Sequence, residues 1–396
     1  MELKRINRKN KNGKTRLYKR KSRAQSYILR TLLVLATVIL LLVGTVFSAV
    51  AVIAHGPSET VRNTLVLSAM QASATKWVPG LFLDKAVVDG ILEDSSKVNK
   101  EVISFDDYSN SYTDEKNPGT DKGQAGTDKQ DEWADAKNGM KLITFAMPSF
   151  KAYMLLVRDP SRIYVGTSSD FTNPAVEGVD IYGIVKKEGC IAAINGGEFS
   201  DPGGVGTGNT PIGVTYSKGK CVWTQSTSKT FIGIDKNNKL QVFKDITKAQ
   251  ADELGIRDGV CFQTGGTENV LISNDGNEIT VHRLDGDNAR SQRTAIGQRA
   301  DGTIILLVTD GRTTSNPGAT YNDVIEIMVK YGAVTAGMLD GGSSSMLYYE
   351  KFYEVYPDQF KYDQLDQFQK RGLVNQYKAF TVPRQIPTFF CIAPEN

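Results

Sequence analysis

At 396 residues the chain is long enough for two ordinary domains, or for one large domain with appendages. Its net charge of +3 conceals an uneven distribution: residues 1–30 hold 12 Lys/Arg against the single acid Glu2, while the rest holds 35 Lys/Arg against 43 Asp/Glu. A nucleic-acid reader would put positive charge on its folded part, where it meets phosphates; here that part is acidic, and nucleic acid is excluded as a partner.

In chain order, the basic segment 1–30 runs directly into TLLVLATVILLLVGTVFSAVAVIA, Thr31 to Ala54, 24 residues without a charge. As a helix this run is about 36 Å long, enough to cross a bilayer core of about 30 Å. The Lys/Arg excess before it keeps the N-terminus cytoplasmic and exports everything after Ala54. The reading is a single-pass cell-membrane protein with an extracytoplasmic C-terminal domain. A cleaved signal peptide competes with it, since SAVA offers small residues to a peptidase. The apolar run is longer than a usual signal core, which favours an uncleaved anchor.

Residues 55–92 follow as a helical stalk. SETVRNTLVLSAMQASATKW has apolar residues at near-helical spacing, with Ser58 or Thr60 as cap and Pro79-Gly80 as stop. It predicts one helix from Ser58 to Trp77 and a short second one from Leu83 to Leu92. Residues 93–139 are rich in Asp, Lys, Gly, Ser and Thr and poor in aliphatics, which reads as a polar linker.

From Met140 the pattern changes. KLITFAM, AYMLLVRD, CIAAIN, PIGVTYS, TFIGI, TVHRL and TIILLVTD are short apolar runs between Gly/Asn/Asp turns, and they read as strands. YNDVIEIMVKYG has helical spacing and ends at Gly332, a suitable glycine just past a helix end; VDIYGIVKKEG reads as another helix. Residues 140–396 are therefore expected to form one α+β domain, strand-rich and of mixed sheets with a few packed helices. Cys190, Cys221, Cys261 and Cys391 all lie after the apolar run, where disulfides form. None has CxxC spacing and the histidines are His55 and His282 alone, so no metal site or other cofactor is expected. Spacing leaves open whether the cysteines are bridged or buried singly in strands.

Three clusters in this domain can carry chemistry. In INGGEFSDPGGVGTGNTPIGV a strand runs into Asn195-Gly196-Gly197 and Glu198, then a glycine-rich loop. A plain hairpin loop explains the glycines, but a carboxylate at a strand end beside exposed backbone suits acid/base work. In RSQRTAIGQRADGTIILLVTDGR, Arg293 and Thr294 open one strand, and Asp310-Gly311-Arg312 closes the next. Arginine forks grip phosphate or carboxylate bidentately, although a surface ion pair is the commoner fate. In MLDGGSSSM, Asp340 precedes Gly341, Gly342, Ser343 and Ser344. Successive glycine N–H groups and serine hydroxyls can form an anion-binding concavity, where a tight turn would need fewer such residues.

In this order AAINGGEF, PIGV, RTAIG with ADGTIILLVTDGR, GAT before a helix, and MLDGGSSSM resemble the phosphodiester glycosidase family over about Met140 to Pro394. The resemblance implies an enzyme that removes a sugar joined through its anomeric carbon to a phosphodiester, with bacterial relatives tied to exopolysaccharide and cell-envelope metabolism. It makes Asp340, Asp310 and Glu198 the candidate catalytic carboxylates. Asn195, Gly196, Gly197, Arg293, Thr294, Arg312, Gly341, Gly342, Ser343 and Ser344 are the candidate binding residues, and a glycosyl phosphodiester or polysaccharide is the expected partner. Glu198 stands where the family usually shows an aromatic residue, so its role is the least secure of these. The alternative is a carbohydrate-binding or scaffold protein that uses the same pocket without turnover. A serine hydrolase is disfavoured: GGSSS is not GxSxG, and the domain has His282 as its only histidine.

Overall fold

A computed structural model describes residues 23–70, 75–95, 97–108, 133–168, 171, 173, 176–201, 206–225, 230–262, 269–286, 289–313, 315–377 and 382–395. The chain divides into two compact units, Met1–Arg62 and Asn63–Asn396. Most of the basic segment, 1–22, and the middle of the expected linker, 109–132, lie outside the described residues.

In the first unit, one helix, Arg23–His55, contains the uncharged run. Within it, Tyr27–His55 is long and apolar enough to cross a membrane, and its most apolar stretch is not buried inside the protein. The hydroxyls of Thr31, Thr37 and Thr45 donate to the carbonyls of Tyr27, Leu33 and Leu41, at 3.0, 2.9 and 2.8 Å. That back-bonding satisfies hydroxyls that hydrocarbon would leave without a partner.

The second unit is α+β and built from antiparallel sheets, as the sequence pattern predicts. The largest has eight strands in the order Val98–Ser104, Glu278–Leu284, Val270–Asn274, Ala333–Leu339, Thr294–Arg299, Ile304–Thr309, Phe150–Val157 and Met140–Met147. Its central strands, IILLVT and AVTAGML, are buried along their whole length and show no alternation, because both faces are covered. On one face lies the helix Tyr321–Lys330: a side chain at Gly297 would come within 2.9 Å of Met328 Sδ. On the other lies a five-stranded sheet, whose Ile232 Cγ1 would stand 2.7 Å from a Cβ at Gly337. Ile296 pairs with Gly337 and Gly297 with Ala336, so the two glycines admit neighbours on opposite faces. A four-stranded sheet, in the order Leu347–Tyr349, Ala192–Asn195, Thr388–Ile392 and Ile163–Thr167, shares the same core through Ile194, Phe390 and Ile392.

The two principal helices start and stop as their sequences dictate. Thr320 and Asp323 form a reciprocal capping box, and Gly332 follows the last turn with φ 76°. Asp180 caps the helix Ile181–Glu188, which ends at Gly189 in the left-handed region.

Two expectations are corrected here. The linker 93–139 is not wholly a linker: Val98–Ser104 forms an edge strand on Glu278–Leu284, and Tyr108 is buried with its hydroxyl donating to Ala333 O at 2.8 Å. Most of its residues are exposed, as on an edge strand, a pattern composition cannot separate from a spacer. Nor is 55–92 a free-standing stalk. The helix described as Glu59–Met70 begins at Ser58, as expected, residues 71–74 lie outside the described residues, Trp77 stands in a turn, and a second helix runs Lys85–Ser95. Val66, Leu67, Val88 and Ile91 from these helices pack with Ala289 of the domain.

Candidate active site

Asn195 ends the strand Ala192–Asn195, fully buried, and its amide joins three segments. Its Nδ2 donates to Asp340 O at 2.6 Å, while its Oδ1 accepts from Thr294 Oγ1 at 3.0 Å and Met346 N at 3.1 Å. Thr294 is fully buried too and lies 3.0 Å from Ser345 Oγ. The same strand end anchors the glycines. Gly196 N–H donates to Thr388 O and Gly197 N–H to Thr388 Oγ1, while Gly196 O accepts from Asp340 N. A Cβ at Gly196 would meet Thr388 Oγ1 at 2.5 Å, and one at Gly197 would meet Cys261 O at 2.3 Å. Asn195, Gly196 and Thr294, expected to touch substrate, hold the segment from Asp340 to Met346 in place, and Gly197 is tied to Thr388. Their polar groups are committed inside the protein, and the glycines permit close backbone approach.

What this scaffold positions is a chain of charged and hydroxyl groups. Asp340 is half-buried, and its carboxylate accepts from the Ser344 hydroxyl and the Gly341 N–H. Burial pushes its pKa above the ordinary value and nearby Asp201 adds to this; Arg384 and the two hydrogen bonds pull the other way without cancelling it. Arg384 Nη1 donates to Ser343 Oγ at 3.1 Å and Ser344 Oγ at 2.9 Å, and Nη2 forms an ion pair with Asp201. The Arg384 guanidinium also sits 4.7 Å from the centre of the Phe199 ring. Tyr377 braces the arrangement, donating to Ser343 O at 2.9 Å and accepting from Arg384 N at 3.0 Å.

The expected backbone nest is not available to a ligand as a whole. Gly342 N–H goes to Gln292 O, Ser344 N–H to Gly341 O, Ser345 N–H to Gly342 O, and Gly341 N–H to Asp340 itself. Gly342 has φ 60°, so the glycine serves this tight 3-10 turn.

The two arginines of the second cluster part ways. Arg293 is buried over the Tyr321 ring at 4.5 Å, and its Nε and Nη2 donate to Ala319 O and Ala289 O. It fastens two loops rather than offering a fork. Arg312 is exposed, and its Nη1 would lie 3.4 Å from a Cβ at Gly342. Its own φ is 58°, in the left-handed region, as it is at Asn138, Lys218, Asn238 and Lys351. Desolvation and the neighbouring Arg293 lower its pKa, and Asp340 opposes them.

The three candidate carboxylates follow three different strands. Asp310 is buried, accepts from the Tyr153 hydroxyl at 3.0 Å, and lines a cavity of about 220 Å³ with Gln292, Lys151, Gln376 and the two neighbours of Arg312, Gly311 and Thr313. Glu198 is half-buried next to Phe199, and its backbone N–H and carbonyl pair with Cys261 O and Ile212 N. The acid that acts electrostatically on Asp340 is Asp201. Sequence reasoning missed Asp201, Arg384 and Tyr377. Asp201 followed a strand end in the glycine-rich loop and was visible there; Arg384, 183 positions away in TVPRQIP, had no local pattern to expose it.

A model of the phosphodiester glycosidase family matches residues 188–393, a span that holds every group of this pocket. The chain belongs to that family. Among individual proteins, the SPbeta prophage-derived uncharacterized protein YomE of Bacillus subtilis (strain 168) is 25% identical over 213 residues, 53% of this chain and 30% of that protein. The chain thus spans about a third of the length of the curated relative it matches. Among solved structures, the zebrafish N-acetylglucosamine-1-phosphodiester alpha-N-acetylglucosaminidase catalytic domain, auto-inhibited by its pro-peptide, aligns with TM-score 0.47 and 18% identity, over 64% of this chain and 82% of that one. A hypothetical protein from Synechocystis aligns with TM-score 0.39 and 14% identity, over 64% and 61%. None is close enough to transfer the role of a residue, and the roles below rest on the geometry of this phosphodiester glycosidase domain itself.

Proposed function

We propose that this chain is a membrane-anchored extracytoplasmic hydrolase that cleaves a sugar from a glycosyl-1-phosphodiester. The observation that carries the reading is the linked set Asp340, Ser344, Arg384 and Asp201 with Arg312 over Gly342. It places a carboxylate of raised pKa beside cationic groups. Hydrolysis at the anomeric carbon breaks the C1–O bond, so the departing group is a phosphate monoester. It is a good leaving group and needs charge neutralisation more than a proton, which Arg312 and the Ser343 hydroxyl supply. The incoming water must lose a proton. Asp340, already accepting two hydrogen bonds and more basic than an ordinary Asp, takes it. Arg384 holds Ser343 and Ser344 in register and balances Asp201. A cell-envelope or exopolysaccharide phosphodiester fits the exported placement.

The test is sugar release from an aryl ester of a sugar-1-phosphate by the full chain in detergent. Wild type should release free sugar, and Asp340→Asn, which cannot accept the proton, should turn over about 10²-fold more slowly or worse at an unchanged melting temperature. Binding of the ester without release by wild type would leave a carbohydrate-binding protein. Near-normal turnover by the Asn variant would remove Asp340 from the chemistry.

A further inference from the structure

We propose that Gln292 is a positioning residue: it acts on the phosphate through Arg312, by fixing the spacing of two loops at the pocket. The sheet puts it where it can do this. Thr294–Arg299 is the middle one of three adjacent strands, with Ile304–Thr309 on one side and Ala333–Leu339 on the other. Both neighbours run antiparallel to it, so the residues that lead into it lie between the loops that leave them. Those loops are Asp310-Gly311-Arg312 and Asp340-Gly341-Gly342. A Cβ at Gly311 would come within 2.8 Å of Gln292 N, and one at Gly341 within 2.9 Å of Gln292 O. The two glycines let the backbone of Gln292 pass between the loops.

Gln292 also ties both loops. Its carbonyl accepts from Gly342 N–H at 2.9 Å, and its Nε2 donates to Gly311 O at 3.1 Å. Gly311 O and Arg312 N belong to one peptide plane, and Arg312 N–H donates to Pro317 O at 3.1 Å. That plane is held at both of its polar groups, at the carbonyl by the glutamine side chain. Arg312 continues from it with φ 58°, a conformation that a residue with a Cβ keeps only where its surroundings hold it. Its guanidinium then lies over Gly342, which the carbonyl of the same Gln292 holds.

The segment around Gln292 is itself anchored. Ser291 exchanges both backbone hydrogen bonds with Ala319, Arg293 Nη2 holds Ala289 O, and Ala289 packs with Val66, Leu67, Val88 and Ile91. The side chain of Gln292 does less for stability than its place suggests. Its Oε1 is buried and accepts no hydrogen bond among the described residues, which costs free energy that a methionine of similar length would not incur. What the amide contributes is the alignment of the Gly311 carbonyl, and with it of Arg312.

The proposal rests on Arg312 as the partner of the phosphate, and a double-mutant cycle tests it. Inorganic phosphate is titrated onto the full chain in detergent and followed by phosphorus NMR, which reaches millimolar constants. Gln292→Met should weaken phosphate binding about tenfold, with a urea midpoint close to that of wild type. In the Arg312→Lys background the same change should cost less than about twofold, because the fork it aligns is gone. Equal losses in both backgrounds, no loss in the first, or a loss that only follows a lowered folded fraction would each overturn the proposal. If the Met variant does not fold, Gln292→Asn carries the same reading, since it keeps an amide one methylene short of Gly311 O. Turnover separates the proposal from the hydrolase reading. Coupled phosphate binding without sugar release from the aryl ester by wild type would end the hydrolase and leave Gln292 its role. Sugar release without coupling would end the role of Gln292 alone. Wild type that fails to bind phosphate overturns the assignment of Arg312 and this proposal with it.

Discussion

Arg293 and Arg312 share a side chain and a cluster in the sequence, yet the fold gives them opposite work. Arg293 holds Ala289 O and Ala319 O from a buried position, while Arg312 keeps its guanidinium at the pocket, over Gly342. Lysine preserves the charge but not the planar fork. Arg293→Lys should therefore lower stability by about 1.5–3 kcal/mol, the scale of hydrogen bonds made by a charged group, with affinity for a sugar phosphate little changed in the folded fraction. Arg312→Lys should do the reverse, weakening that affinity by about 1–3 kcal/mol at an unchanged melting temperature. Paired denaturation and calorimetric titration of the two variants check this, and an equal loss of affinity in both would return Arg293 to the phosphate. At this scale a sequence shows which residues are chemically apt. It does not show which of their atoms remain available after packing, and that is why Asn195 and Thr294 turned out to be supports for the Asp340 segment.

Among the elements, the edge strand Val98–Ser104 changes what counts as the domain. It pairs along its full length with Glu278–Leu284, from Val98↔Leu284 to Ser104↔Glu278, and Tyr108 beyond it is buried against Ala333 O. A fragment that starts at Gly139 loses both and exposes the ladder edge of Glu278–Leu284, which favours aggregation. Tyr108→Phe isolates one part of this. It leaves the Ala333 carbonyl without its hydroxyl partner in the interior and should cost about 1–3 kcal/mol in urea unfolding of the full chain. A loss below about 0.5 kcal/mol would mean that water replaces the hydroxyl and that the segment is only loosely docked. The helices Glu59–Met70 and Lys85–Ser95 make the same point, since their apolar residues close on Ala289, whose carbonyl Arg293 holds.

For the whole molecule, the governing contrast is between a helix whose apolar side chains are exposed and a domain whose apolar side chains are enclosed. Leu40 and Leu41 are 71% and 66% exposed in the helix Arg23–His55, an arrangement that water penalises and hydrocarbon does not. The chain should accordingly sediment with membranes and require detergent for extraction. Protease added to intact cells should digest the C-terminal domain while leaving a membrane-embedded N-terminal remnant. Protection of the domain, or a mature N-terminus found just after Ala54, would reverse the topology or turn the helix into a cleaved signal.

The sequence alone determined the apolar helix, the strand and helix types after Met140, the cap at Ser58, the stop at Gly332, and the family. Each depends on residues close together in the chain: an unbroken uncharged run, a period of two or 3.6, a capping residue or a glycine at a helix end, or spaced short motifs. Only the tertiary structure decided that Asp201 and Arg384, 183 positions apart, pair beside Asp340, that Asp310 accepts from Tyr153, and that Cys190 and Cys391 share one apolar cluster. Those facts depend on which strands become neighbours in the sheets. Strand order is set by the burial of whole faces rather than by local pattern, and no window of the chain contains it.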